Sequence, residues 1–161
     1  MGSAVKGLAL KNAIKKHLEA QGHEIIDVGC FNADKFIKYT STGERVAKAL
    51  QDGVADIAIN CCGSGTGASM STSKFKGVLA CSCESVATAK MIRQVNGANC
   101  LCLGEGVVPP ELGCQMADAF VNAVFCKADG IPPEVLGFWK EARAEMIARG
   151  EQAVKRDLET L

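Results

Sequence analysis

Residues 55–69 read ADIAINCCGSGTGAS, and this stretch decides the fold. Its first part, residues 55–61, is an apolar run containing Ile57 and Ile59, and it is short enough to be a strand buried on both faces. Parallel sheets covered by helices contain strands of this kind. The second part, residues 63–67, is a glycine-rich loop that we expect to lead into a helix.

Helices and strands alternate outward from this stretch in both directions. Upstream, the pattern predicts a helix over 6–19, a strand over 24–28, a polar loop over 30–42 and a helix over 44–51. Downstream, it predicts a short helix to about 74, a strand over 78–81, a helix over 84–94, a strand over 99–103 and helices over 109–124 and 133–158. Single helices between strands require parallel crossovers, so the fold class is α/β, a doubly wound parallel sheet with helices on both faces.

The first strand of this sheet is incomplete in the sequence. A doubly wound domain opens with an apolar strand, whereas residues 1–3 leave room only for its last residues. Either the natural chain starts earlier, so that the first strand is truncated here, or another segment covers that sheet edge; we favour the first. We expect one domain over 1–161, with its core in 1–125 and a helical extension in 131–161. Core or dimer packing is the expected role of the extension, and partner docking is the alternative.

Composition excludes several classes of function. The 161 residues carry 18 Lys+Arg and 18 Asp+Glu, and this neutral balance argues against nucleic acid and membrane partners. The nine cysteines are an odd number in a chain without a signal-peptide pattern, which favours a reduced, cytoplasmic setting unless a targeting peptide has been removed. We expect Cys81 with Cys83, and Cys100 with Cys102, to pack as small apolar residues on one face of a strand, and no zinc site.

The glycine loop lies where a ligand would bind. In open α/β sheets, ligands bind at the carboxyl ends of the strands, and backbone N–H groups at a glycine-rich turn can hold a ligand oxygen. The loop lacks the Gly-Lys-Ser/Thr of a Walker loop and the Gly-x-Gly-x-x-Gly spacing, so we expect no nucleotide and no other cofactor. The alternative is a tight turn without a ligand.

Cys62 immediately precedes this loop, and Ser64 is its second residue. A thiolate beside backbone N–H donors can move a proton next to a carbonyl while the donors hold the enediolate oxygen, and Ser64 can bond the thiol or the ligand. Cys62 could instead only fill space at the strand end. A redox pair of Cys61 and Cys62 is a weaker alternative, because neighbours on a strand point to opposite faces.

The loop resembles a known family signature. Cys62-Gly63-Ser64-Gly65-Thr66-Gly67, with Ser69, Lys74-Phe75 and Gly77, is similar to the Cys-Gly-Thr-Gly-x-Gly-x-Ser and Asn-Lys-x-x-Gly motifs of the ribose-5-phosphate isomerase B and galactose-6-phosphate isomerase family. The likeness extends over about residues 2–125. It implies a flavodoxin-like or Rossmann-like three-layer sheet, a homodimer or tetramer with active sites shared between subunits, and aldose–ketose isomerisation of a sugar phosphate in carbohydrate metabolism such as the pentose phosphate route.

The resemblance also implies roles for individual residues. Cys62 would transfer the proton and Ser64 would supply the loop hydroxyl, as the catalytic residues. The substrate-binding residues would be Gly63, Gly65, Thr66, Gly67, Ser69, Tyr39 and Asn96.

Several positions depart from the family pattern. The Ser-Asp-His-x-Gly segment appears as Ser3-Ala4-Val5-Lys6-Gly7, and the His-Asn-Asp segment, whose His opens the sugar ring across the dimer interface, appears as Val95-Asn96-Gly97. A family Arg corresponds to Gly106, and the basic stretch that helps to hold phosphate is replaced by residues 127–137, whose one cation is Lys127.

These departures from the family pattern leave two alternative functions. The first is an isomerase in which Cys62 acts through an enediolate held by residues 63–67, on a sugar that rarely cyclises or with ring opening supplied by a partner subunit of a hetero-oligomer. The second is a non-catalytic protein that binds or senses a sugar phosphate.

Overall fold

The computed structural model describes residues 1–150 of the chain, and the predicted end of the terminal helix lies outside the described residues. The strands in this part are β1 (Gly2–Ser3), β2 (Ala58–Cys62), β3 (Ala80–Ser82) and β4 (Cys100–Gly104). The α-helices are α1 (Leu8–Ala20), α2 (Tyr39–Gln51), α3 (Thr66–Thr72), α4 (Val86–Gln94), α5 (Pro110–Val121) and α6 (Pro133–Arg149), and a 3₁₀ turn covers Val5–Gly7. No helix among residues 1–150 has the length and apolar character needed to cross a membrane.

The four strands form one parallel sheet in the order β1-β2-β4-β3. The stretch quoted above supplies the central strand β2, which pairs with β1 through Gly2 opposite Asn60 and with β4 through Ala58 opposite Cys100. All five residues of β2 and all five of β4 are buried, as expected for strands covered on both faces. The predicted α/β class with a parallel sheet is confirmed.

The two faces of the sheet are covered by different helices. On one face, Ile59, Leu101 and Leu103 lie in a core cluster with buried side chains of α1, α4 and α5. On the other face, Cys62 and Cys102 lie in a cluster with buried residues of α2 and α3. The alternation follows from the two-residue side-chain period of a strand, and it makes the sheet doubly wound.

The cysteine pairs pack as predicted. Cys100 and Cys102 are fully buried on the same face, with their Sγ atoms 3.8 Å apart, while Cys81 and Cys83 both pack against the cluster on the opposite face. All nine cysteines are free thiols. They therefore contribute to the core as small apolar side chains.

The predicted strand over residues 24–28 is wrong as a regular strand. The segment runs beside β1 and is joined to it by hydrogen bonds from Val28 N–H to Met1 O (2.8 Å) and from Cys30 N–H to Ser3 O (2.9 Å), and the Met1 amino group bonds Ile26 O. Because β1 has only two residues, the pairing is too short to form a regular edge strand.

Helix α2 begins five residues earlier than predicted, at Tyr39 instead of residue 44. Its first turn is polar and contains Gly43, so the sequence shows no apolar periodicity there. Gly43 is buried inside the helix, where a β-carbon would overlap the Ser71 side chain of α3. The glycine therefore permits close packing of α2 on α3 and does not interrupt the helix.

Helix α6 packs differently from the expectation of a core helix. None of its residues is buried, and Phe138 is 64% exposed. Arg143 attaches the helix to the rest of the chain: its Nε–H donates to Gly97 O at 3.1 Å, and its guanidinium lies 5.3 Å from the centre of the Phe125 ring. The expected core packing is therefore not seen, and dimer packing stays a prediction.

Candidate active site

The turn from β2 into α3 presents Cys62 at the carboxyl edge of the sheet. Cys62 is the last residue of β2, and its side chain is only 6% exposed. Gly65 follows with a left-handed φ of +81°, and a β-carbon there would lie 3.1 Å from Gly104 N of β4. Only glycine meets both conditions without strain, so Gly65 sets the shape of this turn.

A hydrogen bond fixes the Cys62 side chain within the turn. The N–H of Gly65 donates to Cys62 Sγ at 3.2 Å. The neighbouring Cys61 faces the opposite side of the sheet and is fully buried, and burial, followed by the nearby Cys62, raises the pKa of the Cys61 thiol. Cys61 therefore stays a neutral core thiol, while Cys62 lies at the edge where a ligand can approach.

Cys62 lies in the wall of a cavity of about 620 Å³. The cavity is bounded by the 3₁₀ turn after β1, by the glycine loop and by residues 36–40 at the start of α2. Of the predicted site residues, the structure brings Cys62, Gly63, Ser64, Thr66, Gly67 and Tyr39 together around it. These residues come from distant parts of the sequence, so the sheet assembles the site.

Tyr39 and the loop hydroxyls have defined partners at the cavity. The Tyr39 ring lies against Gly67, where a β-carbon would be 3.2 Å from a ring carbon. Ser64 Oγ and Thr66 Oγ1 are 2.6 Å apart and share a hydrogen bond. Thr66 and Gly67 also open α3, and N–H groups in the first turn of a helix have no acceptor in the helix itself. Residues with hydroxyl groups, and residues whose N–H groups lack an acceptor in the helix, therefore line the cavity.

Ser69 and Asn96 lie away from this cavity within one chain. The Ser69 hydroxyl donates to Ala80 O at 3.1 Å and ties α3 to β3. Asn96 follows α4 and precedes the amino end of β4, whereas Cys62 is at the carboxyl end of the parallel strand β2. Because the strands are parallel, Asn96 lies at the amino ends of the strands and Cys62 lies at their carboxyl ends. Binding roles for Ser69 and Asn96 stay predictions.

Two lysines at the cavity were missed in the sequence. Lys6 and Lys38 both line it, and among residues 1–150 no Asp, Glu, His or Arg does so. Lys6 occupies a variable position of the family motif, so the resemblance gave no reason to select it. Its place at the cavity is explained by the neighbouring Gly7, where a β-carbon would lie 2.6 Å from Cys61 O. This close approach brings the residue before Gly7 beside the glycine loop.

Both histidines of the chain are away from Cys62. His17 of α1 is bonded to the Asp118 carboxylate of α5, with Nε2 2.8 Å from Oδ1. His23 lines a separate cavity of about 510 Å³, together with Asp56, Ile57 and Arg93 near the amino edge of the sheet. The described residues therefore place no imidazole at the Cys62 cavity.

Buried polar contacts hold the segments around the cavity. The Lys11 ammonium, which is fully buried, contacts both Asp27 oxygens, at 2.9 and 2.7 Å, and Cys30 O at 2.6 Å. Burial would raise the pKa of Asp27, but hydrogen bonds from Lys11 and Gly29 and the charges of Lys11 and Lys15 lower it overall. Asp27 is therefore a carboxylate that anchors the start of the loop leading to Lys38 and Tyr39.

Glu105 joins the end of β4 to both α1 and the Cys62 turn. Its Oε2 accepts hydrogen bonds from the N–H groups of Ala9 (2.9 Å) and Leu10 (3.1 Å), and its own N–H donates to Cys62 O at 2.9 Å. A carboxylate at the first turn of a helix pairs with otherwise unsatisfied donors. The position of Cys62 is thus coupled to the packing of α1 on the sheet.

Comparison with known proteins identifies the family. A family model described as Ribose/Galactose Isomerase matches residues 1–130. The 4-deoxy-4-sulfo-D-erythrose isomerase of Clostridium sp. (strain MSTE9) is 34% identical over 125 residues, which are 78% of this chain and 79% of that protein. The galactose-6-phosphate isomerase subunit LacA 1 of Streptococcus pyogenes serotype M6 is also 34% identical over 125 residues, covering 78% of this chain and 86% of that protein.

A solved structure shows the same arrangement of elements. Ribose-5-phosphate isomerase B from Mycoplasma genitalium, determined with bound ribulose-5-phosphate, superposes with a TM-score of 0.82 and 29% identity over 94% of this chain and 95% of that chain. These matches confirm the resemblance carried by the Cys62 loop and the expected enzyme class, an isomerase. The chain belongs to the ribose/galactose isomerase family.

Proposed function

We propose that the protein is an aldose–ketose isomerase in which Cys62 moves a proton between adjacent carbons of an open-chain sugar. The observation that carries this proposal is the placement of Cys62, whose Sγ accepts a hydrogen bond from Gly65 N–H, in the wall of a cavity that Ser64, Thr66 and Gly67 also line. In the forward direction, the Cys62 thiolate removes the proton from C2 of the aldose, and the C2–H electron pair forms the enediolate. The Cys62 thiol, whose proton exchanges with solvent, then delivers a proton to C1, while the proton on O2 moves to O1, giving the ketose.

The donors around Cys62 suit the charge that develops in this reaction. The carbonyl oxygen of the substrate gains negative charge in the enediolate, and fixed donors in a partly enclosed site stabilise such charge strongly. In this proposal the N–H groups of Thr66 and Gly67 hold that oxygen. Ser64, bonded to Thr66 at 2.6 Å, passes the hydroxyl proton between the two substrate oxygens.

We further propose that the substrate reaches the site in its open-chain form. Opening a sugar ring needs an acid–base group near the ring oxygen, and the described cavity residues include neither an imidazole nor a carboxylate. The relative named 4-deoxy-4-sulfo-D-erythrose isomerase supports this choice, because a tetrose without a C4 hydroxyl cannot close a furanose ring. A tetrose 4-phosphate is also unable to close, since its C4 oxygen is esterified.

A turnover assay with matched cysteine variants tests this function. The wild-type protein should convert D-erythrose 4-phosphate or 4-deoxy-4-sulfo-D-erythrose to the ketose, and Cys62→Ala should lower kcat by a factor of at least about 100. Cys114→Ala, on α5 and outside the cavity, is the control and should keep wild-type turnover. Binding of these sugars without turnover by the wild-type chain would favour the non-catalytic alternative.

A hetero-oligomeric isomerase is the second candidate. It is favoured by the relative that is named as a subunit of galactose-6-phosphate isomerase. The position of Asn96, at the opposite ends of the strands from Cys62, would let it complete a site only in another chain, either a copy of this one or a different subunit. In this case the isolated chain would not turn over ribose 5-phosphate, whereas the complex purified from its native source would. Turnover of ribose 5-phosphate by the isolated chain would exclude the need for a partner.

A further inference from the structure

The cavity at Cys62 has a charge that differs from that of the whole chain. The sequence carries equal numbers of acidic and basic residues, 18 of each, yet the part of the chain that the structure describes lines this cavity with Lys6 and Lys38 and with no acidic residue. A local excess of two positive charges in a neutral protein favours an anionic ligand at this place, because nearby carboxylates do not offset it.

The two ammonium groups are available to a ligand. Lys11, Lys15 and Lys48 are engaged in ion pairs with carboxylates of the chain. Within residues 1–150, by contrast, neither the Lys6 nor the Lys38 ammonium has an ion pair or a hydrogen bond to a protein group. Their stems still contact the site, and a β-carbon on Gly63 would lie 3.7 Å from Lys6 Cβ.

The backbone positions both lysines from different sides. Lys6 belongs to the 3₁₀ turn that follows β1, and Gly7 behind it approaches the Cys61–Cys62 backbone closely. Lys38 immediately precedes α2 and neighbours Tyr39, whose ring lies on Gly67. A ligand that reaches Cys62 therefore enters a cavity lined by two lysines that come from separate elements.

We propose that Lys6 and Lys38 bind the anionic end of the substrate and thereby restrict the enzyme to short, open-chain sugars that carry a terminal phosphate or sulfonate. This inference rests on the proposed isomerase function, since it assigns the substrate class of the same cavity. The two lysines are specificity-determining residues: they hold the end of the substrate remote from the carbons between which Cys62 moves the proton.

A binding experiment tests the anion site without turnover. D-Erythritol 4-phosphate has the phosphate end of a tetrose phosphate but no carbonyl, and erythritol is its neutral counterpart. By isothermal titration calorimetry, the wild-type protein should bind the phosphate compound more tightly than erythritol. Lys6→Met and Lys38→Met should each weaken that binding about 10-fold or more, as expected for loss of a charge-assisted hydrogen bond. Lys16→Met, an exposed lysine of α1 outside the cavity, is the matched control and should leave the affinity unchanged.

Kinetic measurements separate the two possible anions. D-Erythrose 4-phosphate, 4-deoxy-4-sulfo-D-erythrose and the neutral 4-deoxy-D-erythrose are all unable to form a furanose ring. The Lys6→Met and Lys38→Met variants should raise KM for whichever anionic sugar is the better substrate and leave KM for the neutral sugar unchanged. The lower of the two wild-type KM values then identifies phosphate or sulfonate as the group recognised.

The outcomes distinguish this inference from the proposed function. A variant that carries both Lys6→Met and Lys38→Met should bind D-erythritol 4-phosphate more weakly than the wild type. Equal affinity would overturn the proposed anion site, even if Cys62-dependent turnover is observed. Lysine-dependent binding in a protein that turns over none of the three sugars would support the anion site and overturn the isomerase. A wild-type protein that does not discriminate D-erythritol 4-phosphate from erythritol would also overturn the inference.

Discussion

The N–H of Gly65 donates a hydrogen bond to Cys62 Sγ at 3.2 Å, and this contact ties the reactive side chain to the shape of the glycine loop. Gly65 also has a left-handed φ of +81°, which directs the chain after it into α3. The loop therefore does more than approach a ligand, since it also orients the cysteine that we propose as the proton carrier. Substitutions in the loop should affect both stability and chemistry.

Gly65→Ala should destabilise the protein more than an alanine at another left-handed glycine. Both Gly65 and Gly53 have positive φ, but a β-carbon at Gly65 would lie 3.1 Å from Gly104 N, whereas at Gly53 it meets nothing within 4 Å. We expect Gly53→Ala to lower the free energy of unfolding by about 1–2 kcal/mol through backbone strain alone. Gly65→Ala should cost at least about 1 kcal/mol more, through crowding against β4. Urea denaturation of both variants measures the difference, and equal losses would contradict the close approach.

Asp27→Asn should destabilise the protein at neutral pH, because it leaves the buried Lys11 ammonium without its carboxylate. Breaking a buried pair by removing one partner costs about 3–5 kcal/mol. The pKa of Asp27 is lower in the folded chain than in the unfolded chain. Its stabilising effect is therefore present above the unfolded value of about 4 and is lost as the pH falls through the folded value.

The pH dependence gives this prediction a second readout. The difference in unfolding free energy between wild type and Asp27→Asn should be largest near pH 7 and should shrink below about pH 4. Asp34→Asn, at an exposed loop position, is the control and should unfold like the wild type at both values. A difference that stays constant from pH 7 to pH 3 would show that Asp27 does not titrate with folding.

Val95→His should broaden the substrate range if the absence of an imidazole is what excludes cyclic sugars. The resemblance places Val95 at the position of the family histidine that opens the ring across a dimer interface. We expect the variant to raise kcat/KM for ribose 5-phosphate about 10-fold or more relative to D-erythrose 4-phosphate. Val95→Leu controls for side-chain size. An unchanged ratio in Val95→His would mean that ring opening is not limiting or that this position does not reach a neighbouring active site.

Much of the fold could be predicted because its strands are short and clearly bounded. The apolar run that ends near Cys62 and the glycines that follow it predict a buried strand and a glycine-rich turn into a helix, and both are present. The apolar residues of the segment 24–28 predict an edge strand, and the segment does bond to β1. It does not form a regular strand because β1 has only two residues with which it can pair. The early start of α2 could not be predicted because its first residues show no apolar periodicity. The packing of Gly43 on Ser71, which lies far away in the sequence, leaves no local pattern.

The site could be predicted only in part. Cys62 and the loop were found from one continuous motif, and Tyr39 was found by resemblance. Lys6 and Lys38 were missed because their meaning depends on which segments meet at the carboxyl edge of the sheet. Asn96 was assigned a binding role by resemblance, and since it lies at the opposite ends of the strands from Cys62 in the same chain, that role stays a prediction. Such relationships follow from topology and carry no local signal.

The central claim is that Cys62 transfers a proton, and solvent isotope exchange tests it most directly. In deuterated water, proton NMR should show deuterium entering C1 of the ketose and C2 of the aldose when D-erythrose 4-phosphate or 4-deoxy-4-sulfo-D-erythrose is incubated with the wild-type protein. The exchange should be lost in Cys62→Ala and kept in Cys114→Ala. Exchange that persists in a folded Cys62→Ala protein, or isomerisation by the wild type without any deuterium incorporation, would contradict the account.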